Sequence, residues 1–201
     1  MIAIINFGMG NLNSIKNKLE RHRIESVITN DMEVIENADK LILPGVGHFK
    51  KGMENLHKFK LIEVLNKSVI NQKKPIFGIC LGMQLFAKSS EEGNVPGLGW
   101  ISGYVKKFSF RINNNYKIPH VGWNNIQIIK NSHLLKDIVH DQLFYFTHSY
   151  YLECMNEIII AETDYGHSFP SVISHKNISG VQFHPEKSHK RGFQMLLNFC
   201  K

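Results

Sequence analysis

The stretch Pro75-Ile-Phe-Gly-Ile-Cys80-Leu-Gly-Met-Gln84 decides how this chain is read. Ile76, Phe77 and Ile79 make the apolar run of a short buried strand, and Leu81 to Lys88 has the composition of a helix. Cys80 stands at the junction, framed by Gly78 and Gly82. A sharp strand-to-helix turn of this kind lifts a nucleophile above a sheet. Glycines on either side let the bent backbone approach its neighbours. A thiol at the start of a helix also feels the positive end of the helix dipole, which favours thiolate. An isolated cysteine is often only a buried structural residue. The strand, the glycines and the helix together point instead to a nucleophile.

Working outward, the first half alternates strands and helices. Ile2 to Asn6 reads as a strand, and Leu12, Ile15 and Leu19 put one apolar stripe on a helix from Asn11 to His22. Glu25 to Thr29 and Lys40 to Leu43 read as the next strands, the latter running into Pro44-Gly-Val-Gly47. A helical region broken near His57 extends to Gln72. This order predicts a parallel sheet with helices on both faces. In the second half, Tyr104 to Phe110, Trp123 to Ile129, Leu143 to Leu152, Ile158 to Glu162, Ser171 to His175 and Val181 to Phe183 read as strands. Ser188 to Phe199 closes the chain as a helix. The fold expected is α/β: a single domain over residues 1–201, with a central mixed, mostly parallel sheet flanked by helices.

Bulk properties narrow the function. The chain has 201 residues, 43% hydrophobic and 20% charged, enough for one well-buried domain. Its three scattered cysteines argue against a disulfide framework and for a reducing, cytoplasmic setting. There is no C-x-x-C pair to suggest structural zinc. No apolar run reaches membrane-spanning length, so no membrane partner is expected. The net charge of +7 comes from dispersed lysines, without the aromatic interleaving of a nucleic-acid surface. A basic face could still dock an acidic protein partner.

A cysteine nucleophile needs a base, and the base needs an orienting group. Gly180-Val-Gln-Phe-His184-Pro-Glu186-Lys-Ser188 offers both. Alternation along an extended chain would put His184 and Glu186 on one side, and Pro185 stiffens the link. A carboxylate beside imidazole holds its tautomer and stabilises imidazolium. On its own, a His-Pro-Glu run reads more readily as a loop histidine with a surface ion pair, and eleven histidines make chance pairings easy.

The glycine-framed Cys80, the distant His184-Pro-Glu186 and the early Pro44-Gly-Val-Gly47 together resemble class I glutamine amidotransferases, whose architecture is flavodoxin-like. The resemblance sharpens with Ser90-Glu-Glu-Gly93, Gly97-Leu-Gly-Trp100, Pro119-His-Val-Gly-Trp-Asn124 and Phe144-Tyr-Phe-Thr-His-Ser-Tyr150. This set is similar to the HisH family, the glutaminase subunits of imidazole glycerol phosphate synthase, from Met1 to the last helix. It implies hydrolysis of L-glutamine through a Cys80 thioester, with His184 as acid and base and Glu186 as its orienter. The oxyanion donors implied are the N–H groups of Leu81 and Val46. Substrate contacts carry over to Gly47, Gln84, Glu92, Ser149 and Tyr150. The implied partner is a TIM-barrel cyclase in a heterodimer, which receives ammonia through a dry channel and makes imidazole glycerol phosphate and AICAR in histidine biosynthesis. Asn11, Trp123 and Lys187 match positions near that interface. No cofactor or metal is implied.

Some residues admit other readings. Gly8-Met-Gly10, with Asp31 after the next strand, mimics a dinucleotide-binding fingerprint, but Asn13 stands where the third glycine belongs. His120 and His148 could suggest metal, yet no cysteine or carboxylate has ligand spacing around them, and His148 is expected to pack beside the site. Lys187-Ser-His-Lys-Arg-Gly-Phe193 has some flavour of a paralogous branch that feeds a sugar amidotransferase in surface-polysaccharide synthesis. A catalytically silent regulatory subunit on the same fold is a third reading, and the intact Cys80, His184 and Glu186 oppose it.

Overall fold

Period-two alternation of apolar residues builds both layers of the fold at once. In strand β1 (Ile2–Ile5), Ile2 and Ile4 face one side and Ala3 and Ile5 the other, and all four are buried. A strand buried on both faces needs helices on both. A computed structural model, describing residues 1–110, 116–139 and 142–201, shows how they are supplied. Helices α1 (Leu12–Arg21) and α6 (His189–Cys200) cover one face through Ile15, Leu19, Phe193 and Leu196. Helices α2 (Met32–Asn37), α3 (Phe49–Lys58) and α4 (Leu61–Asn66) cover the other through Ile35, Met53, Leu56 and Leu61. Each such side chain contributes about 1.5–3 kcal/mol when fully buried.

Among the described residues, the central sheet has eight strands. Its parallel part runs β2 (Ser26–Thr29), β1, β3 (Lys40–Gly45), β4 (Ile76–Cys80) and β14 (Ile178–Val181). Antiparallel strands β13 (Ser168–His175), β12 (Ile159–Asp164) and β9 (Gln127–Ile128) extend it. The mixed, mostly parallel α/β architecture read from the sequence is therefore present. Two smaller sheets were not expected. Strand β8 (His120–Asn125) pairs with β10 (Leu143–His148) as a ribbon. Strands β5 (Ser89–Ser90), β6 (Val95–Pro96), β7 (Gly103–Lys107) and β11 (Tyr150–Cys154) form the other.

Several local expectations change, three of them as follows. The run Leu143 to Leu152 is two strands in two sheets, separated at Ser149, whose carbonyl takes the Phe108 N–H at 3.0 Å. An alternating run cannot show where a strand changes partner. Helix α2 was missed because six residues with one buried side chain carry no visible periodicity. Asp31, part of the apparent dinucleotide fingerprint, caps it, accepting from Glu33 N at 2.8 Å and Val34 N at 3.2 Å.

The third change concerns the helix after Cys80. Helix α5 is only Leu81–Gln84. The carbonyls of Leu85, Phe86 and Ala87 accept from the N–H groups of Leu98, Ile101 and Gly99 at 2.9–3.0 Å, so the chain turns toward β5 instead of continuing the helix. One turn carries a small dipole, so the elbow acts by placing N–H groups rather than through a long helix field. Cys80 sits at φ 52° and ψ −112°, the strained geometry of a nucleophile elbow. A Cβ on Gly82 would lie 1.7 Å from the Leu43 carbonyl oxygen. Gly82→Ala is accordingly expected to destabilise the fold by about 3 kcal/mol or more. Urea unfolding tests this, and wild-type stability would mean that β3 and the elbow can separate freely.

Candidate active site

Three neighbouring parallel strands deliver the chemistry at their carboxyl ends, where α/β sheets place ligands. Gly45, the last residue of β3, aligns with Cys80, the last of β4, so Val46 and Gly47 emerge beside the elbow. Strand β14 runs alongside β4 and leads directly to Gln182 and His184. The crossing from β10 to β11 supplies a further wall. The result is a cleft of about 150 Å³. Val46, Gly47, Cys80, Leu81 and Gln84 line one part of it, and Glu92, Ser149, Tyr150 and His184 another. The sequence reading named all nine. It did not assign Thr147 a place in the lining, and it expected His148 beside the site rather than in its wall.

His184 and Glu186 are both buried, and His184 Nδ1 lies 2.9 Å from Glu186 Oε1. The contact arises differently from the expectation of an extended chain. Pro185–Lys187 form a 3-10 turn, closed by Lys187 N–H on the His184 carbonyl at 3.0 Å. Ser188 Oγ donates to the same carbonyl at 2.6 Å and accepts from Tyr145 N at 2.9 Å, tying the turn to β10. Burial alone pushes the His184 pKa down, but the charge on Cys80, and then Glu186, act against it and raise it to about 10. Nε2 has no hydrogen-bond partner of good geometry among the described residues, although the Cys80 sulfur acts on it electrostatically. Such bonds often tighten only when substrate is present.

Polar groups around the cleft are fixed by their own bonds. Glu92 Oε2 accepts from Phe49 N at 2.6 Å, at the start of α3. Gln84 Nε2 donates to the Tyr150 carbonyl at 2.8 Å and to Gln182 Oε1 at 3.0 Å. Gly47 has φ +107°, and a Cβ there would come within 2.9 Å of Met9 Cε. His148 Nδ1 lies 2.8 Å from the Tyr150 carbonyl, and its Nε2 lies 3.1 Å from His120 Nδ1. Burial pushes His148 to about 3 and His120 to about 4. Both are therefore neutral, His120 donating to His148 and His148 to the carbonyl. The unfolded chain binds protons on these rings below pH ~6.5 and the folded chain does not, so their contribution to stability falls as pH drops through that range. Neither ring's NMR signals should titrate between pH 8 and pH 5. A midpoint near the ordinary histidine value would contradict the neutral pair. Among the described residues, no group of three or more His, Cys, Asp or Glu is gathered as for a metal ion.

The residues assigned to an interface lie outside the cleft. Trp123 stacks on His189 with ring centroids 4.7 Å apart and meets Tyr145 edge-on at 5.8 Å. Lys187 Nζ lies 5.7 Å above the Tyr145 ring. Asn11 stands at the N-cap of α1 without a side-chain capping bond.

Comparison with known proteins agrees with this geometry. The family "Glutamine amidotransferase class-I" matches residues 3–201. A Methanococcus maripaludis protein named imidazole glycerol phosphate synthase subunit HisH 2 is 49% identical over 100% of this chain and 99% of its own. A Campylobacter jejuni protein named imidazole glycerol phosphate synthase subunit HisH 1 is 45% identical over 100% of both. Among solved structures, PurLQS from Thermotoga maritima gives a TM-score of 0.71 at 16% identity, covering 100% of this chain and 98% of that one. The glutaminase domain of Trypanosoma brucei CTPS, with bound acivicin, gives 0.66 at 16% identity, covering 98% and 92%. The latter two speak for the fold alone. With its elbow cysteine and paired His184 and Glu186 at one cleft, the chain belongs to the class I glutamine amidotransferases and, within them, to the HisH subunits of imidazole glycerol phosphate synthase.

Proposed function

We propose that residues 1–201 form one amidotransferase domain that hydrolyses L-glutamine and passes the ammonia to a cyclase partner in histidine biosynthesis, in the cytoplasm. The observation that carries this is the buried His184, held by Glu186 at 2.9 Å, at the cleft that Cys80 itself lines. Cys80 attacks the carboxamide carbon, and the oxyanion is met by the N–H groups of Leu81 and Val46. Loss of one such donor costs on the order of 10²–10³ in rate. Imidazolium at His184 protonates the departing nitrogen, and the C–N bond breaks. Forming the thioester removes the charge from sulfur. His184 then loses one of the two groups that raise its pKa, and it becomes able to take a proton from water. One residue thus serves as acid and then as base, switched by the state of Cys80. Glu92 receives the substrate ammonium, and Gly47, Ser149 and Tyr150 hold its polar head beside Gln84.

The partner surface is the outer face of the β8–β10 ribbon, where Val121, Trp123 and Leu143 are 55%, 43% and 54% exposed. Exposed apolar residues gathered on one face, rimmed by polar groups, mark a docking surface. Lys187, above the Tyr145 ring, extends it; the family resemblance adds Asn11, and a TIM-barrel cyclase is the occupant. Ammonia leaving the site must be kept from protonation by water, which a closed interface achieves. Glutaminase turnover measured with and without the cyclase and its ligand tests the assignment. Activity should be low in isolation and rise when the liganded partner binds. Full activity of the isolated chain would count against coupling.

A further inference from the structure

Gln182 is fully buried and belongs to none of the roles above. It follows β14, two residues before His184, with its backbone N–H on the Ser171 carbonyl at 3.0 Å. Its side-chain Nε2 lies 3.6 Å from Cys80 Sγ. Its Oε1 accepts from Gln84 Nε2 at 3.0 Å. These two contacts fix the orientation of the amide. Turning it over would set a carbonyl oxygen against the sulfur and an N–H group against the Gln84 NH₂. Gln84 is fixed in turn, because its second N–H goes to the Tyr150 carbonyl. A chain of donors therefore runs from the β10–β11 crossing through Gln84 and Gln182 and ends on the nucleophile.

We infer that Gln182 is a further catalytic residue, a buried N–H donor that holds the Cys80 sulfur in its reactive anionic state and receives it again as leaving group. The inference rests on the amidase reading and assigns a group to the sulfur, where that reading assigned none. The sulfur sits at the end of a short helix, with little macrodipole to favour negative charge, so a directed donor has an effect there. In acylation the sulfur electron pair forms the S–C bond and the N–H···S contact weakens. In deacylation water oxygen bonds to the carbonyl carbon and gives one proton to His184. The C–S bond then breaks, its electron pair returns to sulfur, and the Gln182 N–H is in place to meet that charge. The same contact keeps the sulfur aligned between turnovers.

Alkylation of Cys80 by iodoacetamide reads the sulfur without requiring glutamine hydrolysis. Cys80→Ser gives the background from Cys154 and Cys200, whose thiols burial pushes up to about 12 and so keeps slow. Two near-isosteric variants, Gln182→Met and Gln182→Glu, are compared after thermal unfolding shows which are folded. Gln182→Met removes the donor. Gln182→Glu keeps an acceptor for Gln84 and sets a negative oxygen near the sulfur. Alkylation at pH 7 should slow about tenfold in Gln182→Met and further in Gln182→Glu, with the rate profile moved to higher pH. In the glutaminase assay kcat should fall while KM for glutamine changes little. A folded variant of either kind that alkylates at the wild-type rate, with an unmoved profile, overturns the proposal. If the wild-type chain fails to hydrolyse glutamine with its partner while the variants still show these alkylation shifts, the amidase reading sinks and the Gln182 contact stands.

Discussion

Cys80→Ala is expected to lower glutamine-dependent synthesis by the assembled complex by about 10⁵–10⁶-fold while leaving ammonia-dependent synthesis unchanged. In the proposed mechanism the Cys80 sulfur forms the thioester, and without it the cleft retains binding groups and oxyanion donors. Those groups give limited catalysis of direct water attack. The variant should still fold. Cys80 lies on the cleft wall, so truncation opens space into the cleft and leaves no sealed cavity in the core. The residue is already at φ 52°, and alanine is no worse there than cysteine. Supplying ammonia bypasses the step that the sulfur performs, and the partner's chemistry proceeds. Steady-state rates with each nitrogen source decide the matter. Equal loss of both activities would mean that Cys80 serves the interface or the fold, and retained glutaminase activity would remove it from the chemistry.

Glu186→Gln is expected to reduce kcat by about 10²–10⁴-fold with little change in KM for glutamine. The substitution keeps the shape of the side chain in its 3-10 turn but removes the charge that faces His184 at 2.9 Å. Glu186 is one of the groups that raise His184 above its ordinary pKa. Without it the imidazolium needed by the departing nitrogen is less populated, and the loss grows as pH rises. The basic limb of the pH–rate profile should therefore move to lower pH. The amide can present its NH₂ group as well as its oxygen to Nδ1, so the tautomer of the ring is no longer fixed. A variant with the wild-type profile and kcat would show that Glu186 only packs against the ring.

The elbow was legible in the sequence because its requirements are local. A strand, two glycines and a helix start must be contiguous for the backbone to bend there, and their spacing survives in the one-dimensional string. The parallel half of the sheet was legible for a related reason, since strand and helix periods alternate along the chain. Gln182 was within reach of the same reasoning. It stands two residues before His184 in the stretch Val181 to Phe183 that reads as a strand, and alternation along such a stretch would place both on one side. Its significance was not visible, because a contact to Cys80 spans 102 positions of sequence. The neutral pair of His120 and His148 was hidden similarly, being made by the pairing of β8 with β10.

Local chemistry alone determined where the elbow cysteine would stand, that strands and helices would alternate through the first half, and which motif would set a histidine beside a carboxylate. Tertiary structure decided the rest: that the α5 helix stops after one turn, that Leu143 to Leu152 divides between two sheets, and that a buried amide reaches the sulfur. The reason is range. Backbone strain and side-chain period act between near neighbours, whereas partner choice, burial and the fields that move a pKa depend on residues that only the folded chain brings together.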